Sequence, residues 1–178
     1  MANYALMTAV GKDRPGIVAG ASRVLLASDC NIEDSRMARL GGDFCMMLLL
    51  RLPEGLTGEQ VADRMKPVCG EFELTLTCAD IRPEEAQTDA AVDHPKHVIR
   101  VDGTDRQGIV FQLTQQLSAQ SVNITDLRTE VIPDDPPRYA MVIEVELPRF
   151  VDAKSLAADL ADTGNQLGVR VSLSAESD

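Results

Sequence analysis

The chain contains a copy of itself. Gly11-Lys-Asp-Arg-Pro-Gly-Ile-Val18 returns as Gly103-Thr-Asp-Arg-Gln-Gly-Ile-Val110 at an offset of 92, with six of eight positions identical. The same offset carries Asn31-Ile-Glu-Asp-Ser-Arg36 onto Asn123-Ile-Thr-Asp-Leu-Arg128, four of six identical, and an offset of 95 carries Leu52-Pro53 onto Leu147-Pro148. A repeat of this kind constrains the fold more than any propensity does, because whatever unit one half builds the other must build again. The 178 residues are therefore read as two small domains, 1–80 and 96–178. Between them, residues 81–95 carry Pro83, Pro95, Glu84, Glu85, Asp89 and Asp93 with little apolar content, the composition of an exposed connection.

Each copy shows the same succession of periods. Tyr4 to Val10 is strand-like, and Ile17, Val18, Ala21, Val24 and Leu25 then recur at helical spacing. Asp13 and Asp105 stand where a side-chain oxygen could cap the helix, and Pro15 suits a first helical turn. Two extended runs, 31–40 and 44–52, flank Gly41-Gly42-Asp43 and predict a hairpin. Thr57-Gly-Glu-Gln60 has capping-box spacing ahead of Val61, Met65 and Val68, in a second helix that Pro67 and Gly70 are expected to keep short. Phe72, Leu74, Leu76 and Cys78 then alternate with polar residues as a strand, matched by Leu167, Val169, Val171 and Leu173. The order βαββαβ, given twice, predicts an α+β chain: two ferredoxin-like units in tandem, antiparallel sheets with helices on one face. Phe44 to Leu50 is apolar throughout, so both faces of that strand are expected to be covered, and a charge at Met46 or Leu48 is expected to break such an association.

Charge narrows the function. Lys+Arg 17 against Asp+Glu 28 gives a net charge of -11, a surface that repels phosphate backbones, so direct nucleic-acid binding is not expected. Aromatic residues at 3%, with no Trp, leave few platforms for stacking bases. The longest apolar run, Phe44 to Leu50, falls far short of the roughly 20 residues of a spanning helix, so no membrane role is expected. Cys30, Cys45, Cys69 and Cys78 are too widely spaced for CxxC pairs. With a strand-like run starting directly at Tyr4 in place of a signal peptide, they are expected to be reduced thiols of a cytoplasmic protein. His94 and His97 form an HxxH without the further ligands that a metal site needs. No nucleophile elbow, Walker loop or zincin helix is present, so no catalytic residue and no cofactor is expected.

The succession strand, Gly-x-Asp-Arg-Pro-Gly-Ile-Val, amphipathic helix, Asn-Ile resembles the ACT domain, a regulatory module that binds amino acids at domain interfaces, and it does so in both halves. More narrowly, residues 9–18, Asn31 to Met37 and the Leu-Gly-Gly-Asp-Phe turn resemble the glycine cleavage system transcriptional repressor family, whose members are also tandem ACT pairs. That resemblance implies a cytoplasmic, non-enzymatic regulator, responsive to a small amino acid, with glycine favoured. It would act through a DNA-bound activator protein, and as a homo-oligomer.

The expected ligand site gathers Asp13, Arg14, Pro15, Gly16, Ile17, Asn31 and Ile32 in the first copy, and Asp105, Arg106, Gly108, Ile109, Asn123 and Ile124 in the second. Amides at a helix N-terminus favour a carboxylate, glycine admits a ligand close to the backbone, and the aspartates could hold an ammonium group. Arg14 and Arg106 suit either carboxylate recognition or ion pairs to Asp34 and Asp126. Gln107 in place of Pro15 and Leu127 in place of Ser35 mark the second site as altered or silent. The competing readings are an association module that binds no small molecule and a regulatory subunit of an amino-acid metabolic enzyme.

Overall fold

The computed structural model describes residues 3–86, 94–135 and 137–176; positions 87–93 of the connection, including Asp89 and Asp93, lie outside them. The chain divides into two units, 1–91 and 92–178. The first runs β1 (Asn3–Lys12), α1 (Ile17–Ala27), β2 (Asn31–Leu40), β3 (Asp43–Leu52), α2 (Gly58–Phe72) and β4 (Thr75–Ile81). The second repeats the order as β5 (Lys96–Thr104), α3 (Ile109–Ala119), β6 (Asn123–Ile132), β7 (Arg138–Glu146), α4 (Ala153–Leu167) and β8 (Val169–Ala175). Their antiparallel sheets have the orders β2-β3-β1-β4 and β6-β7-β5-β8, so the predicted βαββαβ arrangement is present twice.

Local chemistry accounts for most of the boundaries. Gly41 and Gly42 (φ 60° and 88°) close the β2–β3 hairpin in the double left-handed conformation that matches strand twist. Thr57 and Gln60 satisfy one another's backbone amides in a full capping box at the head of α2. One sheet face meets the helices. Met7, Leu25, Leu48, Leu50 and Met65 fill the first core, and Ile99, Leu113, Leu117, Met141, Ile143 and Leu156 the second. In both edge strands next to the hairpins the register slips after the second residue, between Ile32 and Asp34 and between Ile124 and Asp126.

Three expectations are corrected. Pro67 and Gly70 do not shorten α2, which runs 15 residues to Phe72. Pro67 lies on the exposed side, where its missing hydrogen bond is a solvent matter, while Met65 and Val68 anchor the helix in the core. Phe72 and Leu167 therefore belong to helices, not strands; Glu73 and Gly168, both left-handed, break the chain between each helix and its following strand. Asp13 and Asp105 do not cap α1 and α3: the N-caps are Gly16 and Gly108, and neither helix has a side-chain cap. Pro15 accordingly sits before the N-cap instead of inside the first turn.

Residues 44–50 of β3 alternate despite being apolar throughout. Met46, Leu48 and Leu50 face the helices, while Met47 is 47% exposed and Cys45 is exposed on the opposite face beside Val10. No helix of the first unit packs on that second face.

Candidate functional site

Each bend between a sheet's central first strand and its first helix lies at one end of its module, here called the head. In module 1 the bend is tied down on two sides. Asp13 N–H donates to Gly42 O (3.1 Å), Asp13 pairs with Arg39 (3.3 Å) and Lys12 with Asp43 (2.7 Å), fastening it to the hairpin tip. Arg14 reaches the other way, to Glu73 at 2.9 Å, and so ties the bend to the end of α2. Gly16 (φ 104°) begins α1 in a conformation that disfavours other residues, with the Phe72 ring 3.2 Å from where a Cβ would stand. Arg14 thus forms an ion pair, but with Glu73 and not with Asp34, which pairs with its neighbour Arg36.

Module 2 builds the same bend with fewer ties. Gly108 (φ 92°) starts α3, and no atom lies within 4 Å of its missing Cβ. Where Glu73 stands in the first copy, the second has Gly168, and the Arg106 guanidinium lies over it, 3.2 Å from the position a Cβ would occupy. Asp126 is paired with Arg128, so the alternative partner expected for Arg106 is also taken. Neither Asp105 nor Arg106 has a side-chain hydrogen bond or ion pair among the described residues. The first turns of α1 and α3 contain no acid, so their free amides stay unneutralised by a local charge. Ile17 and Ile109, expected among the site residues, are core residues at 2% exposure and fix the helix starts from beneath.

The asparagines lie elsewhere. Asn31 pairs across the sheet with Arg51, and Arg51 with Tyr4, nine residues before Asp13. At about 3.3 Å per residue, Asn31 and Ile32 are about 30 Å from the bend, at the foot of the module. Asn123 and Ile124 hold the equivalent place in module 2. A free amino acid is only a few ångströms long, so within one module it cannot touch both sets. Asn31 donates to Glu33 (2.8 Å), which also accepts from Arg51 (2.6 Å). The Arg51 bond first and the Asn31 bond second hold the Glu33 carboxyl below the usual range. Asn123 donates to Glu146 at 3.3 Å.

Sequence reasoning missed Glu73 and Gly168, the pair that decides whether the bend arginine is engaged. The signal was available: the offset of 95 that aligns Leu52 with Leu147 also aligns these two. Gly11 and Gly103, the first residues of the repeated segment, have a packing reason. A Cβ there would stand 2.9 Å from Glu73 O and 2.8 Å from Val169 Cα respectively, so the chain passes too close for any other residue. Elsewhere, His97 Nδ1 shares a hydrogen bond with Pro95 O (3.2 Å), and among the described residues no group of three or more metal-ligating side chains occurs. No described helix is long and apolar enough to cross a membrane.

The family model for the ACT domain matches residues 3–79. The glycine cleavage system transcriptional repressor of Escherichia coli (strain K12) is 30% identical over 163 residues, covering 86% of this chain and 80% of that one. Among solved structures, an unknown protein from Galdieria sulphuraria superposes with a TM-score of 0.84 at 26% identity, covering 99% of this chain and 100% of the other. A structure provisionally assigned as a glycine cleavage system transcriptional repressor superposes with a TM-score of 0.70 at 21% identity, covering 100% and 99%. This last likeness bears on the fold alone.

Proposed function

Because the chain belongs to the tandem ACT-domain family of the glycine cleavage system transcriptional repressors, we propose that it is a regulatory protein that senses a small amino acid, glycine being favoured. It acts without catalysis, in the cytoplasm and as a homo-oligomer, and passes the signal to a DNA-bound protein partner instead of touching DNA. The net charge of -11 supports that indirect route.

The observation that carries the reading is the bend of module 2. Gly108 opens the start of α3 to approach, the first turn offers uncapped amides without an acid, and Arg106 and Asp105 stand beside it without partners among the described residues. A carboxylate matches the amides and the guanidinium; an ammonium group matches Asp105. The ligand of this proposal sits at the bend, held by Asp105, Arg106 and Gly108, and in module 1 by Asp13, Arg14, Pro15 and Gly16 if Arg14 leaves Glu73. Sensing then means that binding favours one conformer whose affinity for the partner differs.

Thermal unfolding with each amino acid in turn tests the proposal. A ligand at 100 times its dissociation constant adds about 2.7 kcal/mol to native stability, and the absence of any shift with every amino acid would end the sensing reading.

A second reading, association through a sheet face, has one observation in its favour: Leu6, Val10 and Met47 form an apolar patch on the side of the module 1 sheet away from its helices. Met47, not Met46 or Leu48, is the residue to charge, because the latter two are in the core.

A further inference from the structure

At the foot of module 1, an open groove of about 490 Å³ lies between the α1–β2 turn and the turn leading into α2, and Ser28, Asp29, Glu54, Gly55, Gln60 and Arg64 are on its walls. Module 2 builds the same two turns. Asp29 and Ser121 share the left-handed conformation (φ 53° and 57°), and Leu56 N–H to Pro53 O (3.2 Å) corresponds to Val151 N–H to Pro148 O (2.9 Å). The side chains are not shared. Ser121 replaces Asp29, Arg149 replaces Glu54, Phe150 replaces Gly55 and Asp159 replaces Arg64, so every charge on the groove is lost or reversed in the sister copy.

Two observations point to a ligand. Ser28, at 5% exposure, is the only buried polar residue among the described ones. Its hydroxyl makes no hydrogen bond there and is not among the sealed polar atoms that lack one, so it opens on the groove. Asp29, Glu54 and Arg64 line the same space, and none of their side chains has a hydrogen bond or ion pair among the described residues. Gln60 gives its side-chain oxygen to the Thr57 amide (3.0 Å) and keeps its NH2 donors free, and at four residues' spacing it stands on the same face of α2 as Arg64. Burial raises the Cys30 thiol while Arg64 opposes the rise, which places the guanidinium near the α1–β2 turn. Donors for a carboxylate thus gather at Arg64, Gln60 and Ser28. Asp29 follows the C-cap of α1, whose last turn carries no base, so the carbonyl end of that helix favours a cation beside Asp29.

We propose that this groove binds a dibasic amino acid of the lysine or ornithine class. Its carboxylate lies on Arg64, Gln60 and Ser28, and its two ammonium groups lie on Asp29 and Glu54. Two positive groups and one negative on the ligand complement two negative and one positive on the groove. An amino acid with one ammonium leaves an acid unmatched, and a diamine leaves Arg64 unmatched. The site belongs to module 1 alone and lies at the opposite end from the bend, so it does not rest on the bend as a sensing site.

Calorimetric titration of the full chain with lysine and with ornithine tests it. One site per chain is expected, with cadaverine, which lacks the carboxylate, and 6-aminohexanoate, which lacks the α-ammonium, each binding about tenfold more weakly or worse. Arg64→Asp and Asp29→Ser, each copying the residue that module 2 carries at that place, are expected to weaken lysine binding about tenfold or more. Circular dichroism checks that both fold, and either one suffices if the other does not. An equal concentration of glycine is expected to leave lysine bound. Absence of binding by both dibasic amino acids overturns the proposal, as does binding that a folded Arg64→Asp or Asp29→Ser chain retains in full or that glycine abolishes. A glycine response without lysine binding overturns the groove and leaves the bend reading standing.

Discussion

Exchanging Glu73 and Gly168 between the modules isolates the bend arginines. Gly168→Glu gives Arg106 the partner that Arg14 has, and Glu73→Gly releases Arg14. Three terms act on stability. A side chain at the left-handed position (φ 73°) costs about 1–2 kcal/mol of strain, and removing a glycine recovers about 0.5–1 kcal/mol from the unfolded chain. The new ion pair adds about 0.2–1 kcal/mol, toward the low end because the equivalent Arg14 and Glu73 side chains are 43% and 70% exposed. The terms cancel to within about 1 kcal/mol for Gly168→Glu, and the reverse exchange inverts every sign. Urea denaturation should therefore show two variants of nearly native stability. Ligand affinity should not be neutral. A ligand carboxylate that takes Arg106 from the introduced glutamate gives up what that pair contributes, about 0.2–1 kcal/mol, so engaging Arg106 should weaken amino-acid binding by up to about fivefold, read by calorimetric titration or by the ligand-induced rise in Tm. Glu73→Gly should strengthen binding at module 1. Unchanged affinity in a folded Gly168→Glu variant would refute the assignment of Arg106 to the carboxylate.

Three further outcomes are expected. Asn31→Ala should preserve the ligand response, because Asn31 is about 30 Å along the sheet from the bend; a lost response in titration would refute a site confined to one bend. Gly103→Ala should destabilise by about 1–3 kcal/mol in urea, since the added Cβ meets backbone at 2.8 Å that cannot give way. Burial first, and then Asp80 and Cys30 nearby, push the Cys78 thiol up to about 11 from an ordinary 9.0. In the unfolded chain the thiol ionises earlier than in the native state, so its stabilising contribution is complete below about 9 and is lost as pH rises toward about 11. Denaturation midpoints that fall over that window in the native chain, and fall less in Cys78→Ala, would bear this out.

The order of elements was legible because each has a local cause: Gly41-Gly42 for the hairpin, Thr57 and Gln60 for the second helix, and a duplicated segment that checks each assignment against its copy. The errors arose where a distant contact outweighed a local rule. Pro67 reads as a helix stop until the core anchors at Met65 and Val68 are known. Phe72 reads as the first strand residue because its spacing fits the alternation, yet the left-handed turn at Glu73 resets the period. Asp13 resembles a cap, but a glycine N-cap three residues later begins the helix and leaves the aspartate to Arg39. For the site, residue types at the bend were readable. That Asn31 falls at the opposite end was not, since sequence neighbours across an 11-residue helix exchange one end of the sheet for the other.

The slipped register near the start of β2 and β6 bears on what these sheets must avoid. Both strands lie at the rim of their sheets, and β2 is solvent-exposed at all ten positions, so each offers unpaired backbone that another strand could extend. A bulge twists such a rim away from a straight recruit, and Glu33, Asp34 and Arg36 place charge beside it. A chain that carries its module twice exposes twice as many rims, and both copies keep the irregularity at the same step after the asparagine. Straightening either rim would open a route to indefinite growth into fibres.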